Sequence, residues 1–165
     1  MNRRSVRGLA LFAALHATFT DVHPFCDQWI QFPTDAVAKG LPGRKGAKHC
    51  ARHVGTYTAG QVAASVAVTR ALGVRMPLRA VAAGAVINAV THYVIDRREP
   101  LKAAARFVGK SGYVEHATVQ RREGVVDESG PGTALTELDQ AAHRVIGVLA
   151  SLTTTWLALR SGDRR

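Results

Sequence analysis

The chain has 165 residues, 47% of them apolar, with 22 lysines and arginines against 12 acidic residues and a formal charge of +10. This length supports one domain with a real core and excludes two of ordinary size, while two cysteines, Cys26 and Cys50, exclude a disulfide framework and a C-x-x-C metal pair. The basic residues gather at the chain ends and between apolar segments, not on one helix face, which argues against a nucleic-acid partner and suits the headgroup borders of a membrane protein.

Four helices are expected. The first, about residues 5–31, opens as "MNRRSVRGLALFAALHATF", an arginine-rich head and short apolar run like those of a signal peptide. No small-x-small cleavage site precedes Asp21, so it reads as the first half of a retained helix. The stretch "VHPFCDQWIQFPTDAVAK" then places a polar residue at every fourth position: His23, Asp27, Gln31, Asp35 and Lys39. Four residues is close to one helical turn, so His23, Asp27 and Gln31 form a column on one face. A bend is expected near His23-Pro24, and Pro33 should stop the helix near Gln31.

The second helix, about 48–72, runs to a Gly73 stop, and the third, about 77–97, opens on Pro77. Residues 98–133 read as a long polar loop whose first part, 100–108, suits a short amphipathic helix; alternating β-branched residues occur only in scraps such as 113–119. After the breaker "ESGPGT" the fourth helix covers about 134–159. The expected fold is a single all-α domain, a four-helix bundle with a long polar loop between helices three and four.

Location is not settled by composition. The runs free of Asp, Glu, Lys and Arg, 8–20, 53–69, 80–95 and 145–159, fall short of the roughly 20 residues of a spanning helix. Mean hydropathy is −0.01. Small residues do permit close helix approach in lipid, and basic residues bracket every run, on both sides, so no orientation follows.

The four-residue spacing recurs in His49 and His53, in His92 and Asp96, and in Asp139 and His143. Seven histidines and seven aspartates placed at random would give about one such histidine-containing pair; there are four, one on each expected helix. Two ligands on successive turns hold one ion between them, and pairs from facing helices complete its shell. His23, Asp27, His53, His92, Asp96, Asp139 and His143 are therefore the candidate ligands of a divalent metal, zinc, iron or manganese. Asp27, Asp96 and Asp139 are the candidate catalytic carboxylates, and Gln31, Lys39 and Gln140 would orient substrate. The plainer account of any one pair is a surface hydrogen bond; it fits His49, beside Lys48, better than the pairs set among apolar residues. His16 reads as a core histidine, Cys26 and Cys50 as small buried hydrophobes, and Trp29, Tyr57, Tyr93 and Trp156 as packing or interface anchors.

"HPFCDQWIQFPTDAVAKG", "CARHVGTYT", "THYVIDRR" and "LTELDQAAH", in this order, resemble the small bacterial and phage membrane-protein family known as domain of unknown function 3307. The positions that carry the resemblance are His23, Asp27, Gln31, Asp35, Lys39, Cys50, His53, Tyr57, Thr58, His92, Asp96, Arg97, Asp139, Gln140 and His143; His49 lies outside it. The resemblance implies a multi-helix protein of the bacterial cytoplasmic membrane, with lipid as its surroundings, and supplies no reaction. The leading expectation is a metal-dependent hydrolase acting on a phosphoester or amide. The alternatives are a non-catalytic proton or ion relay through the same side chains and, behind it, a soluble basic binding module.

Overall fold

The computed structural model describes residues 2–162. Helix α1 (Arg3–Phe25) starts at Asn2, whose side chain accepts the Ser5 amide at 2.9 Å. Pro24 sits inside its last turn and has no N–H to give the carbonyl one turn back, and the chain continues as one π-helical turn, Cys26–Ile30. Gln31 is extended, and Pro33 opens the short α2 (Pro33–Ala38).

Helix α3 (Gly43–Ala71) begins five residues earlier than its expected start at 48 and ends before Gly73, which takes the left-handed conformation at φ +74°. Helix α4 (Leu78–Asp96) follows Pro77, and α7 (Ala134–Gly162) is as long as α3. In the segment 98–133 the short helix expected at 100–108 is present as α5 (Glu99–Phe107), and the rest corrects the expectation of a polar loop. It contains α6 (Ser111–His116) and an antiparallel hairpin, β1 (Val119–Arg122) with β2 (Val125–Asp127). The scrap read as strand-like at 113–119 is mostly α6. Gly124 turns the hairpin at φ +70°, and Asp127 Oδ1 accepts the Ser129 and Gly130 amides at 3.0 and 2.8 Å, folding the loop that follows back onto it.

Helix α1 packs on α3 and α7, and α4 packs on the same two. Since α1 and α4 finish where α3 and α7 begin, one end of the molecule gathers the π-helical turn, α2, α5, α6 and the hairpin. Buried positions recur every four residues: Leu11, Leu15, Phe19, His23 and Asp27 along the first segment, Tyr57, Gln61, Ser65 and Thr69 on α3, and Ala80, Gly84, Asn88, His92 and Asp96 on α4. The same face that is small and apolar at one end therefore becomes ionisable at the other.

Leu11, Leu15 and Phe19 form an apolar cluster at the first end, with Val74, Met76 and Ala158 against it. Between the two ends the buried Thr69 and Ser151 hydroxyls donate to carbonyls of their own helices, at Ser65 and Gly147, each at 2.7 Å, while those of Ser65 and Thr155 have no partner among the described residues. Gly84 lets α4 lie close to α7, since an added Cβ would stand 2.0 Å from Thr154 Oγ1.

Two helices, Leu78–Asp96 and Ala134–Ser161, are long and apolar enough to cross a membrane, with 28% and 33% of their most apolar stretches buried. Their outward faces carry Val86, Val90 and Val94 on α4 and Val145, Leu149 and Leu152 on α7.

Candidate metal centre

The ionisable ends of the buried stripes meet. Asp27 comes from the π-helical turn, Lys39 from the link between α2 and α3, His53 from α3, and His92 with Asp96 from the last turn and a half of α4. His53 Nε2 lies 3.0 Å from His92 Nε2, 3.1 Å from Asp27 Oδ1 and 3.2 Å from Asp96 Oδ2, and His92 Nε2 lies 3.1 Å from Asp96 Oδ2. Donor atoms 2.0–2.2 Å from a shared ion stand about 3.3 Å apart at the corners of a tetrahedron and about 3 Å apart at neighbouring corners of an octahedron. These four pairs have such separations.

Asp27, His53 and His92 form one group that could hold an ion, and His92, Asp96 and His143 a second that shares His92; all are buried. The π-helical turn has a local consequence. It turns Asp27 inward while leaving Trp29 81% exposed.

The Lys39 ammonium lies 3.2 Å from both Asp27 Oδ1 and Asp96 Oδ2 and 3.3 Å from His53 Nε2. Burial alone would depress the Lys39 pKa, and the carboxylates of Asp96 and Asp27 outweigh it and raise that pKa above the ordinary lysine value. Burial likewise opposes charge on Asp27, yet the hydrogen bond with His53 and the Lys39 ammonium hold its carboxyl below the usual carboxylate range.

The other candidates surround this centre. The His143 Nδ1 lies 2.9 Å from the Asp139 carbonyl and 3.3 Å from its carboxylate, and the His143 ring centre is 4.2 Å from that of His92. His23 joins neither ligand group. Its Nδ1 lies 2.7 Å from the Tyr57 hydroxyl, which also accepts from Gln61 Nε2 at 3.0 Å, and its ring is 4.9 Å from that of His143. Gln31 and Gln140 line a cavity over the carboxylates. His16 stacks on Phe12, away from the site, and the buried, unpaired Cys26 and Cys50 belong to neither group.

Two cavities flank the centre. The axial one, about 220 Å³, opens at the decorated end and is lined by Asp27, Lys39, Asp96, Arg98, Asp139 and Gln140, with Ser129–Pro131 as its roof. Arg98 holds the left-handed φ of +62°, and its side chain passes over Gly40, where an added Cβ would stand 2.5 Å from Nε. The second, about 290 Å³, lies between α1 and α7 and reaches His23, Tyr57 and His143.

His49 and His53, paired by spacing, separate in space. His49 Nδ1 lies 2.7 Å from Asp35, and Arg52 Nε donates to the same fully buried carboxylate at 2.8 Å, clamping α2 to α3 beside the centre. The Arg52 hydrogen bond, against the opposing effect of burial and with help from His49, lowers the Asp35 pKa. A lowered folded-state value means that the clamp contributes in full above the unfolded pKa of about 3.9 and fades as pH falls through the folded value. Asp35→Asn is expected to lower stability by about 1.5–3 kcal/mol at pH 7, with the gap from the parent closing under acid, as read by thermal denaturation across pH.

Spacing alone did not disclose the Asp35–Arg52 clamp or the buried Gln61–Tyr57–His23 chain, although Tyr57 and Gln61 sit on the same four-residue stripe. The chain has no match among protein-family models, curated proteins or solved structures.

Proposed function

We propose that the protein is a membrane-embedded four-helix bundle that holds a divalent ion, zinc, iron or manganese, among Asp27, His53, His92 and Asp96 and hydrolyses a phosphoester or an amide. The observation that carries this reading is the near-equal spacing of two imidazole nitrogens and two carboxylate oxygens, 3.0–3.2 Å for each measured pair. Such mixed nitrogen and oxygen donors suit these ions. When bound, the ion supplies Lewis acidity and lowers the pKa of a water.

The chain's own groups complete the site. Lys39 balances the carboxylates and faces the axial cavity, where it would meet an anionic part of a substrate. Asp139, with its side chain 22% exposed and held beside His143, is the carboxylate placed to take up a proton at the cavity edge. Gln31 and Gln140 offer amides to orient the substrate. The first three motifs resembling the domain of unknown function 3307 family then read as the order in which the chain delivers its ligands, and the fourth as the source of Asp139, Gln140 and His143 beside them.

The membrane reading is supported by an inverted distribution. Polar side chains such as Gln61, Ser65, Thr69, Asn88, Ser151 and Thr154 are buried, while valines and leucines of α4 and α7 face outward. Arg7, Arg70 and Arg160 lie 16 or 17 residues from His23, His53 and His143 on their own helices, about 24–26 Å of rise, so an arginine layer and the histidine layer bracket most of a hydrocarbon core. Trp156, stacked with Arg160, and exposed Trp29 would mark the two interfaces of a bacterial cytoplasmic membrane.

A proton relay is the second reading, favoured by the run of rings from Tyr57 to His92 at 4.0 Å, His92 to His143 at 4.2 Å and His143 to His23 at 4.9 Å. Elemental analysis of detergent-purified protein separates the two. The expected result is about one equivalent of zinc, iron or manganese per chain, removable by chelator, with the melting temperature restored on return of the ion. Metal-free protein whose melting responds to none of the three ions would sink the hydrolase and leave the relay.

A further inference from the structure

The cavity between α1 and α7 has no role in the centre as described so far, and its position says what it could admit. Its rim is formed by Thr20, Asp21 and Pro24 of α1 and by Gln140 and Arg144 of α7, with Tyr57, Asn88 and His143 beneath. Gln140 lines the axial cavity too, so the two openings approach the centre from different sides. The second opens through the flank of the molecule, between two long helices, where the neighbouring outward residues of α7 are Val145, Val148 and Leu149. His143 and His23 are both more than nine-tenths buried, and the Nε2 atom of each has no hydrogen-bond partner in the protein.

Arg144 stands at the mouth. Its side chain is exposed and makes no ion pair among the described residues. From it runs a column at four-residue spacing on the same face of α7: Val148, Leu152 and Trp156, all exposed, ending at Arg160. Twelve residues separate Arg144 from Trp156, about 18 Å of helix rise, so the track runs through the near leaflet of a core about 30 Å thick and past its middle toward the Trp156–Arg160 border. A cation at the polar border with an apolar track leading from it into the hydrocarbon is the complement of an amphiphile with an anionic head.

We propose that the substrate of the centre is a lipid whose phosphate-bearing, hydroxylated head enters sideways between α1 and α7, anchored by Arg144, while its chain lies along Val148, Leu152 and Trp156. The guanidinium suits a phosphate by charge and by its paired donors, and Asp21 on the opposite rim suits a hydroxyl further along the head. Water and a released polar product would use the axial cavity, lined by Lys39 and Arg98. This inference rests on the membrane reading and names the substrate class of the same site.

Trp156 supplies a readout that needs neither metal nor turnover. With Trp29→Phe as background, Trp156 is the one remaining tryptophan, and lipids brominated on their chains quench it when they lie against it. Full-length protein in phosphatidylcholine vesicles is titrated with brominated phosphatidylglycerol, with brominated phosphatidylcholine as the comparison. Saturable quenching by the anionic lipid is expected, against a merely proportional response to phosphatidylcholine. Arg144→Gln should raise the half-saturating lipid fraction about tenfold, the scale of one lost charge-assisted hydrogen bond, and inorganic phosphate at millimolar concentration should not displace the lipid. Equal quenching by both lipids, or indifference to Arg144→Gln, would overturn the proposal. Displacement by inorganic phosphate would overturn it too, assigning the anion site to a soluble ester. All three results leave the metal content, and the reading built on it, standing.

Discussion

Asparagine in place of Asp96 is expected to lower metal affinity by more than about 100-fold while the fold is kept, because it removes a ligand oxygen and a buried negative charge without changing the side chain's shape. Asp96 Oδ2 lies within 3.2 Å of His53 Nε2, His92 Nε2 and Lys39 Nζ, so no neighbouring carboxylate can take its place. Lys39→Met should do the opposite. It leaves Asp27 and Asp96 buried around His53 without their cation, which is expected to cost about 3–5 kcal/mol in the metal-free protein. A divalent ion then restores what the ammonium supplied, so the melting temperature of Lys39→Met should rise more on metal addition than that of the parent. Thermal melts with and without metal test both variants. A Lys39→Met protein indifferent to divalent ions would mean that the cluster is a self-balanced relay and no metal site.

The legible part of this centre was its spacing. His92 and Asp96, or Asp139 and His143, declare themselves because two turns of one helix put both side chains on one face, and an apolar neighbourhood gives them no solvent to face. Helix α4 was legible nearly to the residue, since Pro77 opens it and the buried stripe ends at Asp96. Long-range pairing was less legible. His49 and His53 share the spacing, yet Asp35 arrives from α2 and draws His49 aside, a contact between residues 14 apart that no helical period encodes. His23 was expected among the ligands; it stays on the buried stripe with Asp27 but its Nδ1 meets the Tyr57 hydroxyl of α3, a contact between residues 34 apart. The segment 98–133 hid its elements for a related reason. Only α5 showed its own pattern; α6 and the hairpin are short, and they are held by the Asp127 loop and by α7 more than by their own periodicity.

Location was not legible in composition. An apolar content of 47% and runs of 13 to 17 uncharged residues describe a soluble domain as well as a spanning one. Burial adds that the interior of the long helices holds hydroxyls, amides and imidazoles beside Leu11, Leu15 and Phe19, while valines and leucines of α4 and α7 face outward. In water such an arrangement forgoes the burial that drives folding. In lipid, the setting proposed above, an outward apolar face costs nothing.

Gly46 gives the largest expected structural effect from the smallest change. It lies buried in the first turn of α3, and an added Cβ would stand 1.9 Å from the Leu41 carbonyl oxygen, 2.6 Å from Arg97 Nη1 and 2.7 Å from the Leu41 carbonyl carbon. Two of these neighbours are backbone, so no rotamer change relieves the overlap and the link between α2 and α3 must move. That link carries Lys39, whose carbonyl is held by Arg97 Nη1 at 2.8 Å and whose ammonium reaches Asp27 and Asp96. Gly46→Ala is therefore expected to lower stability by about 1–3 kcal/mol by overpacking. It should also alter the response to metal, since moving the Lys39 ammonium off Asp27 and Asp96 leaves those carboxylates for a divalent ion to balance, so the melting temperature should rise more on metal addition than that of the parent. Gly55 on the same helix is the matched control. It is exposed with nothing within 4 Å of an added Cβ, so Gly55→Ala should gain about 0.5–1 kcal/mol and leave metal affinity unchanged. Thermal denaturation and metal titration on the pair test the account; equal behaviour of the two variants would mean that the link is free to shift and does not position the centre.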